Sequence, residues 1–195
     1  MRQLFLGIFL FFNTSIYAAV VDSMFVMGAD YKLLHISNHH CSGYLYAENY
    51  QHQKILIYKS DSPYPPDSTF SSNQIDGTDI LDIGFNCHKD TCNRYLNRRT
   101  NQLSEIYSSI LDYDAKKDVV AFYQKDENKV IISRAFKVCS KPLTYFVKLE
   151  EDSDFGIKTK FLSNGGLQLD YEVPDGKDII KIIHLNYGKL LSDCG

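Results

Sequence analysis

The chain has 195 residues, and its 21 Lys and Arg residues against 24 Asp and Glu residues give a formal net charge of −3 at pH 7. This length fits one domain and is sufficient to bury a hydrophobic core. The slight acidic balance and the scattered positive charges argue against a nucleic-acid partner, since phosphate binding needs a basic patch or stripe.

The first 18 residues have the composition of a cleaved export signal. Arg2 provides a short positive segment, residues 4–12 form an apolar run, and Ala18 or Ala19 provides a small residue for cleavage. The apolar run is too short to span a bilayer comfortably, which argues against a retained membrane anchor. We therefore predict a signal peptide at 1–18 and no transmembrane segment in the mature chain.

All five cysteines lie beyond the signal, and an oxidising compartment favours disulfides. We therefore predict a periplasmic or secreted location. Cys87 and Cys92 are predicted to close a small loop by a disulfide. Cys194, next to the C-terminus, is predicted to fasten the tail through Cys139 or Cys41. One cysteine must remain unpaired, and the sequence alone does not select the connectivity.

Residues 20–195 are predicted to form a single exported domain that begins with short strands. Between 20 and 59, short apolar stretches rich in Tyr, Ile and Val alternate with polar clusters, which favours strands over helices. Residues 60–74 concentrate Pro, Ser and Asp without periodicity, which indicates an exposed loop. Residues 80–85 alternate again and predict a strand.

Residues 91–113 carry the one clear helical pattern of the chain. Their apolar side chains recur at spacings of three and four residues, which places them on one face of an amphipathic helix. This stripe runs from Cys92 through Leu96 to Leu111. The pattern also fits two helices that are broken near Thr100.

Residues 118–187 show the two-residue alternation of β-strands. The Asn-Gly turn at 164–165 separates two alternating runs and predicts a hairpin at 156–173. The isoleucine run at 179–183 also fits a helix, but its β-branched side chains favour a strand. The predicted fold class is therefore α+β and β-rich, with an antiparallel meander sheet at 118–187 packed against the helix.

The densest cluster of metal-binding residue types consists of His35, His39, His40 and Cys41. Imidazole and thiolate groups suit zinc or copper. Their spacing matches no standard site, however, and neighbouring side chains such as His39 and His40 point apart on an extended chain. We therefore predict a solvated polar loop here rather than a metal site.

No residue is predicted to be catalytic, and no cofactor is expected. The sequence lacks a Gly-x-Ser-x-Gly elbow, a phosphate-binding glycine loop and a His-Glu-x-x-His motif. A reactive thiol pair at Cys87 and Cys92 is the alternative to a disulfide, but the Cys-x4-Cys spacing favours a structural bridge. The acidic runs at 76–82 and 112–118 fit solvated turns better than a calcium-binding loop.

Tyrosines are dense between residues 44 and 64, and four are predicted to bind a partner protein: Tyr44, Tyr46, Tyr50 and Tyr64. Tyrosine combines a large apolar ring with a polar hydroxyl at low entropic cost, which suits interfaces. Tyr64 lies between two prolines, which restrict the backbone before binding. The alternative is that these rings fill the core.

These features predict an exported, non-enzymatic protein of inhibitor or immunity type that binds another macromolecule in the cell envelope. One alternative is a small secreted hydrolase or metal-dependent enzyme that uses His35, His39 or Cys41. The other alternative is a carrier of a small apolar ligand. A deep apolar cavity would favour the carrier, and converging polar groups would favour the enzyme.

Overall fold

The computed structural model shows a β-rich protein built of antiparallel sheets, with one short α-helix among the residues it describes. It describes residues 20–25, 30–38, 42–60, 70–87, 90–136, 141–147, 157–173 and 176–191. The β-rich, antiparallel part of the predicted fold is therefore confirmed. Within those ranges, no helix has the length and apolar character that a membrane crossing requires. The predicted signal at 1–18 lies outside the described residues.

The first sheet contains four strands in chain order: β1 (Val20–Phe25), β2 (Lys32–Asn38), β3 (Ser42–Glu48) and β4 (Lys54–Ser60). Alternation along β2 and β3 places Leu33, Leu45 and Ala47 on a buried inner face. The strands predicted between 20 and 59 are thus confirmed.

The second sheet has the order β5–β6–β7–β8, and β9 also pairs with β7. Its strands are β5 (Ser71–Gln74), β6 (Ile80–Cys87), β7 (Asp90–Asn97), β8 (Gln102–Leu103) and β9 (Tyr107–Ser108). β6 confirms the strand predicted at 80–85. The loop predicted at 60–74 is wrong at its C-terminal end, because the residues of β5 pair with β6. Residues 61–69 of that loop lie outside the described residues.

The helix predicted at 91–113 is wrong, because this segment forms β7, β8, β9 and the start of the next strand. A turn at 98–101 interrupts the apolar stripe. β7 is buried on both faces, since Leu96 packs toward the first sheet and Tyr95 toward the opposite side. Because both faces are buried, apolar and polar residues do not alternate along β7, so the sequence lacks the two-residue period typical of a strand. Pairing with β6 then decides the conformation of residues with little helix propensity.

Cys87 and Cys92 form a disulfide with their Cα atoms 5.7 Å apart, as predicted. The bridge closes the hairpin of β6 and β7. Both cysteines belong to the apolar cluster between the first and second sheets, and this burial indicates a structural role for the bridge. The other cysteines, Cys41, Cys139 and Cys194, lie outside the described residues.

The meander predicted at 118–187 is divided between two antiparallel sheets. The third sheet contains, in chain order, β10 (Ile110–Asp114), β11 (Val119–Gln124), β12 (Lys129–Arg134) and β13 (Leu143–Phe146). The fourth sheet contains β14 (Lys158–Phe161), β15 (Gly166–Val173) and β16 (Lys177–His184), after which comes the helix α1 (Tyr187–Leu191). The strand predicted at 179–183 is confirmed by β16.

The hairpin predicted at 156–173 is confirmed by the pairing of β14 with β15. Its turn places Gly165 at φ +87°, a left-handed conformation that glycine adopts without steric cost. The amide of Gly165 donates to the carbonyl oxygen of Leu162 at 3.0 Å and closes the turn. The Asn-Gly dipeptide therefore predicts the turn correctly, because the turn needs a residue that adopts positive φ at position 165.

In the described part of the chain, three apolar clusters join four sheets face to face. Phe85 lies in the cluster between the first and second sheets. Tyr95 and Val120 lie between the second and third sheets. Ile132 and Leu167 lie between the third and fourth sheets. The sheets thus form a layered stack in chain order, and the third sheet packs on two other sheets rather than on the predicted helix.

Candidate functional site

Arg98 is the centre of a buried polar network that joins the first and second sheets. Its side chain is 1 % exposed, and its guanidinium lies 5.1 and 4.1 Å from the ring centroids of Tyr31 and Tyr50. Nη1 donates to Asp30 Oδ1 at 2.5 Å, and Nε donates to the carbonyl oxygen of Glu48 at 3.3 Å. These contacts hold strand ends together and leave the guanidinium inaccessible to a ligand.

Tyr50, one of the tyrosines predicted to bind a partner, belongs to this network. Its hydroxyl donates to Asp79 Oδ1 at 2.8 Å, and Arg99 Nε donates to Asp79 Oδ2 at 2.6 Å. Desolvation and the hydrogen bond to Asp79 raise the pKa of Tyr50, whereas hydrogen bonds from Arg99 and Tyr50 lower the pKa of Asp79. Tyr50 therefore has a structural role, and any loss of binding in a Tyr50 variant would include a folding effect.

Tyr44 and Tyr46 lie on the outer face of the first sheet, with ring centroids 6.4 Å apart. They alternate along β3 with the buried residues Leu45 and Ala47, which face the second sheet. Both tyrosines are half-buried. The strand thus directs these two rings away from the core that it helps to form.

Neighbouring strands bring three aliphatic side chains to the same outer face. Ile36 lies opposite Tyr44, and Leu34 lies opposite Tyr46 from β2. Leu56 lies opposite Tyr46 from β4 and is 40 % exposed. We call this surface the tyrosine face and define it as Leu34, Ile36, Tyr44, Tyr46 and Leu56. None of these five residues belongs to an apolar cluster between sheets within the described part of the chain.

Three exposed lysines flank the tyrosine face. Lys32 lies on the same face of β2 as Leu34 and Ile36, because these residues are two positions apart along the strand. Lys59 lies opposite Tyr44. Lys54 lies opposite Glu48 at the other end of β4. The outer surface of the first sheet therefore combines an apolar centre with a basic margin.

His35 does not belong to the predicted polar loop, because it lies in β2. Its ring centroid is 5.3 Å from that of Phe70, and its inner-face position places it beside Gly43. His39, His40 and Cys41 lie outside the described residues. Among the residues that are described, no group of three or more His, Cys, Asp or Glu side chains could hold a metal ion. The solvated-loop prediction for 39–41 stays a prediction.

An open groove of about 590 Å³ lies on the face of the third sheet, beside the second sheet. Its apolar lining includes Ile106, Phe122 and Ile131. Glu105 and Arg134 contribute charges of opposite sign. This volume is in the range of small-molecule sites, but the groove is open and its lining is mixed.

The tyrosines between the second and third sheets serve packing. Tyr95 stacks on Tyr113 with ring centroids 4.4 Å apart. Burial, the main cause, raises the pKa of both hydroxyls and raises the pKa of Tyr107 to about 12. These hydroxyls therefore remain protonated at neutral pH and are poorly suited to act as general bases.

The sequence identified only part of the tyrosine face. Tyr44 and Tyr46 were predicted to bind a partner, and Tyr64 lies outside the described residues. Leu34 and Leu56 were missed, because their position beside Tyr46 depends on strand pairing. Alternation along each strand is the signal that could have found them, once the strand boundaries are fixed.

Comparisons with known proteins give no family assignment, since no family model and no curated protein matches this chain. Among the described surfaces, the tyrosine face groups five apolar side chains that belong to none of the clusters between sheets. The groove on the third sheet is the second candidate.

Proposed function

We propose that the chain is an exported, non-enzymatic protein of inhibitor or immunity type that binds another protein of the cell envelope through the tyrosine face. The observation that carries this proposal is the apolar character of that face. The outer side of an antiparallel sheet is normally polar, whereas here five apolar side chains share it: Leu56 is exposed, Ile36, Tyr44 and Tyr46 are half-buried, and Leu34 is buried. Contiguous apolar patches on folded proteins often mark interaction sites.

The composition of the tyrosine face suits a protein partner. Tyr44 and Tyr46 supply large rings with few rotatable bonds, so little entropy is lost when they become ordered in an interface. Leu56 adds exposed aliphatic area beside them. Binding at this surface would bury these groups together, which gives a favourable hydrophobic contribution.

The basic margin indicates the chemistry of the partner. Lys32, Lys54 and Lys59 would meet the outer part of an interface, where charged residues guide association more than they add affinity. A partner with an apolar centre and an acidic margin complements this arrangement. Association should then slow as salt is added, since screening weakens long-range attraction.

Export is supported by the sequence pattern of residues 1–18 and by the disulfide. Disulfides persist in the periplasm and outside the cell, and reducing systems remove them in the cytosol. An envelope location would bring the protein together with exported enzymes and effectors. Such proteins are the partners expected of an inhibitor or immunity protein.

The decisive experiment is isolation of the partner, followed by affinity measurement with purified proteins. The wild-type protein should retain one envelope protein in stoichiometric amount after cross-linking and co-purification. The Tyr44→Ala/Tyr46→Ala double variant should bind that protein roughly 30-fold more weakly, because aromatic hot-spot residues contribute about 2 kcal/mol. Its melting temperature should stay close to that of the wild type, since both rings lie outside the clusters between sheets.

Phe146→Ala is the matched control, because Phe146 is an aromatic residue with 73 % exposure on the third sheet. This variant should bind the partner as the wild type does. Equal affinity of the double variant and the wild type would remove the tyrosine face as the binding site. Failure of the wild type to retain any envelope protein would count against the binding function.

A second candidate function is carriage of a small amphipathic ligand in the groove of the third sheet. The volume of the groove, about 590 Å³, and its apolar lining favour it. The probe is 8-anilinonaphthalene-1-sulfonate, whose fluorescence increases in apolar sites. Ile106→Asp should abolish this signal if the groove holds the probe, whereas Leu56→Asp on the first sheet should not change it.

A further inference from the structure

β16 is the outer strand of the fourth sheet. Among the described strands, only β15 pairs with it, in a register that extends from Lys177 opposite Val173 to His184 opposite Gly166. Six of the eight residues of β16 are exposed. The strand is thus long, regular and accessible, and an edge strand of this kind can act as a template for an added strand.

The outer face of β16 carries two exposed isoleucines. Ile180 is 66 % exposed and lies opposite Asp170, and Ile182 is 49 % exposed and lies opposite Gln168. Neighbouring residues on β15 therefore give these side chains little apolar cover. An added strand would cover them from the free side of β16.

The opposite face of β16 determines which residue an added strand should carry opposite Lys181. Ile183 is buried in the apolar cluster between the third and fourth sheets, and Ile179 packs against that cluster. Lys181 lies between them and is exposed. A residue opposite Lys181 would therefore meet a positive charge at the margin of an apolar layer.

A second copy of this chain would meet a like charge in the register that pairs both exposed isoleucines across the edge. The antiparallel register that pairs Ile180 of one copy with Ile182 of the other places Lys181 directly opposite Lys181. Like charges directly opposite each other destabilise a strand pair. An edge lysine of this kind is a common protection against self-association.

We propose that β16 binds an extended segment of a partner protein as an additional antiparallel strand, and that the segment has the pattern apolar–acidic–apolar. The acidic residue lies opposite Lys181, and the apolar residues lie opposite Ile180 and Ile182. A basic residue two positions after the second apolar residue lies opposite Asp178. Main-chain hydrogen bonds supply affinity, and these side chains supply selectivity. The site is independent of the tyrosine face, which lies on the first sheet.

The test uses two synthetic peptides and the full mature protein. The matched peptide is acetyl-Thr-Val-Glu-Val-Thr-Lys-amide, and the inverted peptide exchanges its Glu and Lys. Titration followed by NMR should show the matched peptide binding at least roughly fivefold tighter, because the inverted peptide replaces two attractive cross-strand pairs by two like-charge pairs. Signals of β16 should shift most.

Charge exchange on the protein should reverse this preference. Lys181→Glu should favour the inverted peptide, while Lys160→Glu, an exposed lysine on the other edge strand β14, should leave the original preference unchanged. The Ile180→Thr/Ile182→Thr double variant should bind both peptides more weakly, while threonine keeps the β-strand propensity of these positions. Unchanged melting temperatures of these variants establish that they are folded.

N-methylation of the matched peptide tests strand addition itself. Successive amides of a strand point to opposite edges, so methylation of alternate residues should abolish binding in one frame and leave it in the other. Four results would each overturn the proposal: no binding of either peptide, equal binding of both, no reversal by Lys181→Glu, or equal loss in both methylation frames. A dimer that Lys181→Glu disrupts would also overturn it and assign the edge to a second copy.

Discussion

Arg98 and Arg99 are neighbours in sequence, yet their side chains occupy opposite environments. Arg98 is enclosed by the rings of Tyr31 and Tyr50, whereas Arg99 is largely exposed and pairs with Asp79. A turn that follows β7 directs the two side chains apart. Charge content alone therefore says little about the contribution of each arginine to stability.

Replacement of Arg98 by Ala should lower the free energy of unfolding by about 3 kcal/mol, because it leaves a cavity and removes a buried hydrogen-bonded cation. Arg99→Ala is the matched control and should lower the free energy of unfolding much less, as expected for an exposed ion pair. Urea unfolding of both variants measures the difference. Equal losses would contradict the structural role assigned to Arg98.

Asp82 provides a prediction for pH dependence. Burial raises its pKa above the usual 3.8, although Asn93 Nδ2 donates to its carboxylate at 2.8 Å. The folded protein therefore binds this proton more tightly than the unfolded chain. The contribution of Asp82 to stability is complete below the unfolded pKa and is lost as pH rises through the folded pKa.

Asp82→Asn removes this titration and keeps an oxygen that can accept the hydrogen bond from Asn93. Its stability relative to the wild type should therefore increase as pH rises from about 3 to about 7. Urea unfolding at several pH values measures this trend. A difference between the two proteins that does not change with pH would contradict the assignment.

At the scale of elements, β6 and β7 form the hairpin that links two layers of the stack. One face of the hairpin contributes Leu81 and Leu96 to the cluster with the first sheet, and the other contributes Ile80 and Tyr95 to the cluster with the third sheet. The disulfide closes this hairpin at its turn. Loss of the disulfide should therefore weaken the packing of this hairpin against both the first and the third sheet.

The Cys87→Ala/Cys92→Ala variant should lose about 2 kcal/mol of stability, because closing a loop this short restricts the unfolded chain only modestly. Urea unfolding without a reducing agent measures the loss. Addition of dithiothreitol should destabilise the wild type further than the double variant. A wild type that is equally stable with and without dithiothreitol, under conditions that reduce the bridge, would contradict this role.

At the scale of the whole molecule, the stack places the tyrosine face at one end and the edge strand β16 in the sheet at the other end. Contacts made at one surface need not disturb the other. The predicted export signal precedes the first sheet, so processing would occur next to the layer that carries the tyrosine face.

Mass spectrometry of the exported protein should find an N-terminus near Ala19 or Val20, because signal cleavage follows a small residue. The apolar run at 4–12 should be absent from the mature chain. The control is an Arg2→Glu variant, which reverses the charge of the positive segment and should accumulate unprocessed. An intact Met1 in a cytoplasmic fraction of the wild type would contradict the proposed location.

The sequence by itself determined the features with short-range causes. The Asn-Gly turn and one-sided alternation predicted the hairpin at 156–173, and β-branching predicted the strand at 179–183. The short separation of Cys87 and Cys92 predicted their disulfide. Each signal lies within a few residues, so no knowledge of the fold was needed.

Only the tertiary structure decided the rest, because strand pairing joins residues far apart in the chain. β7 is a strand since it pairs with β6 and is buried on both faces, a condition that mimics helical spacing in the sequence. The tyrosine face exists because register places Leu34 and Leu56 beside Tyr46. Local propensity is weak compared with these long-range contacts, so register and packing, rather than composition, select the candidate site.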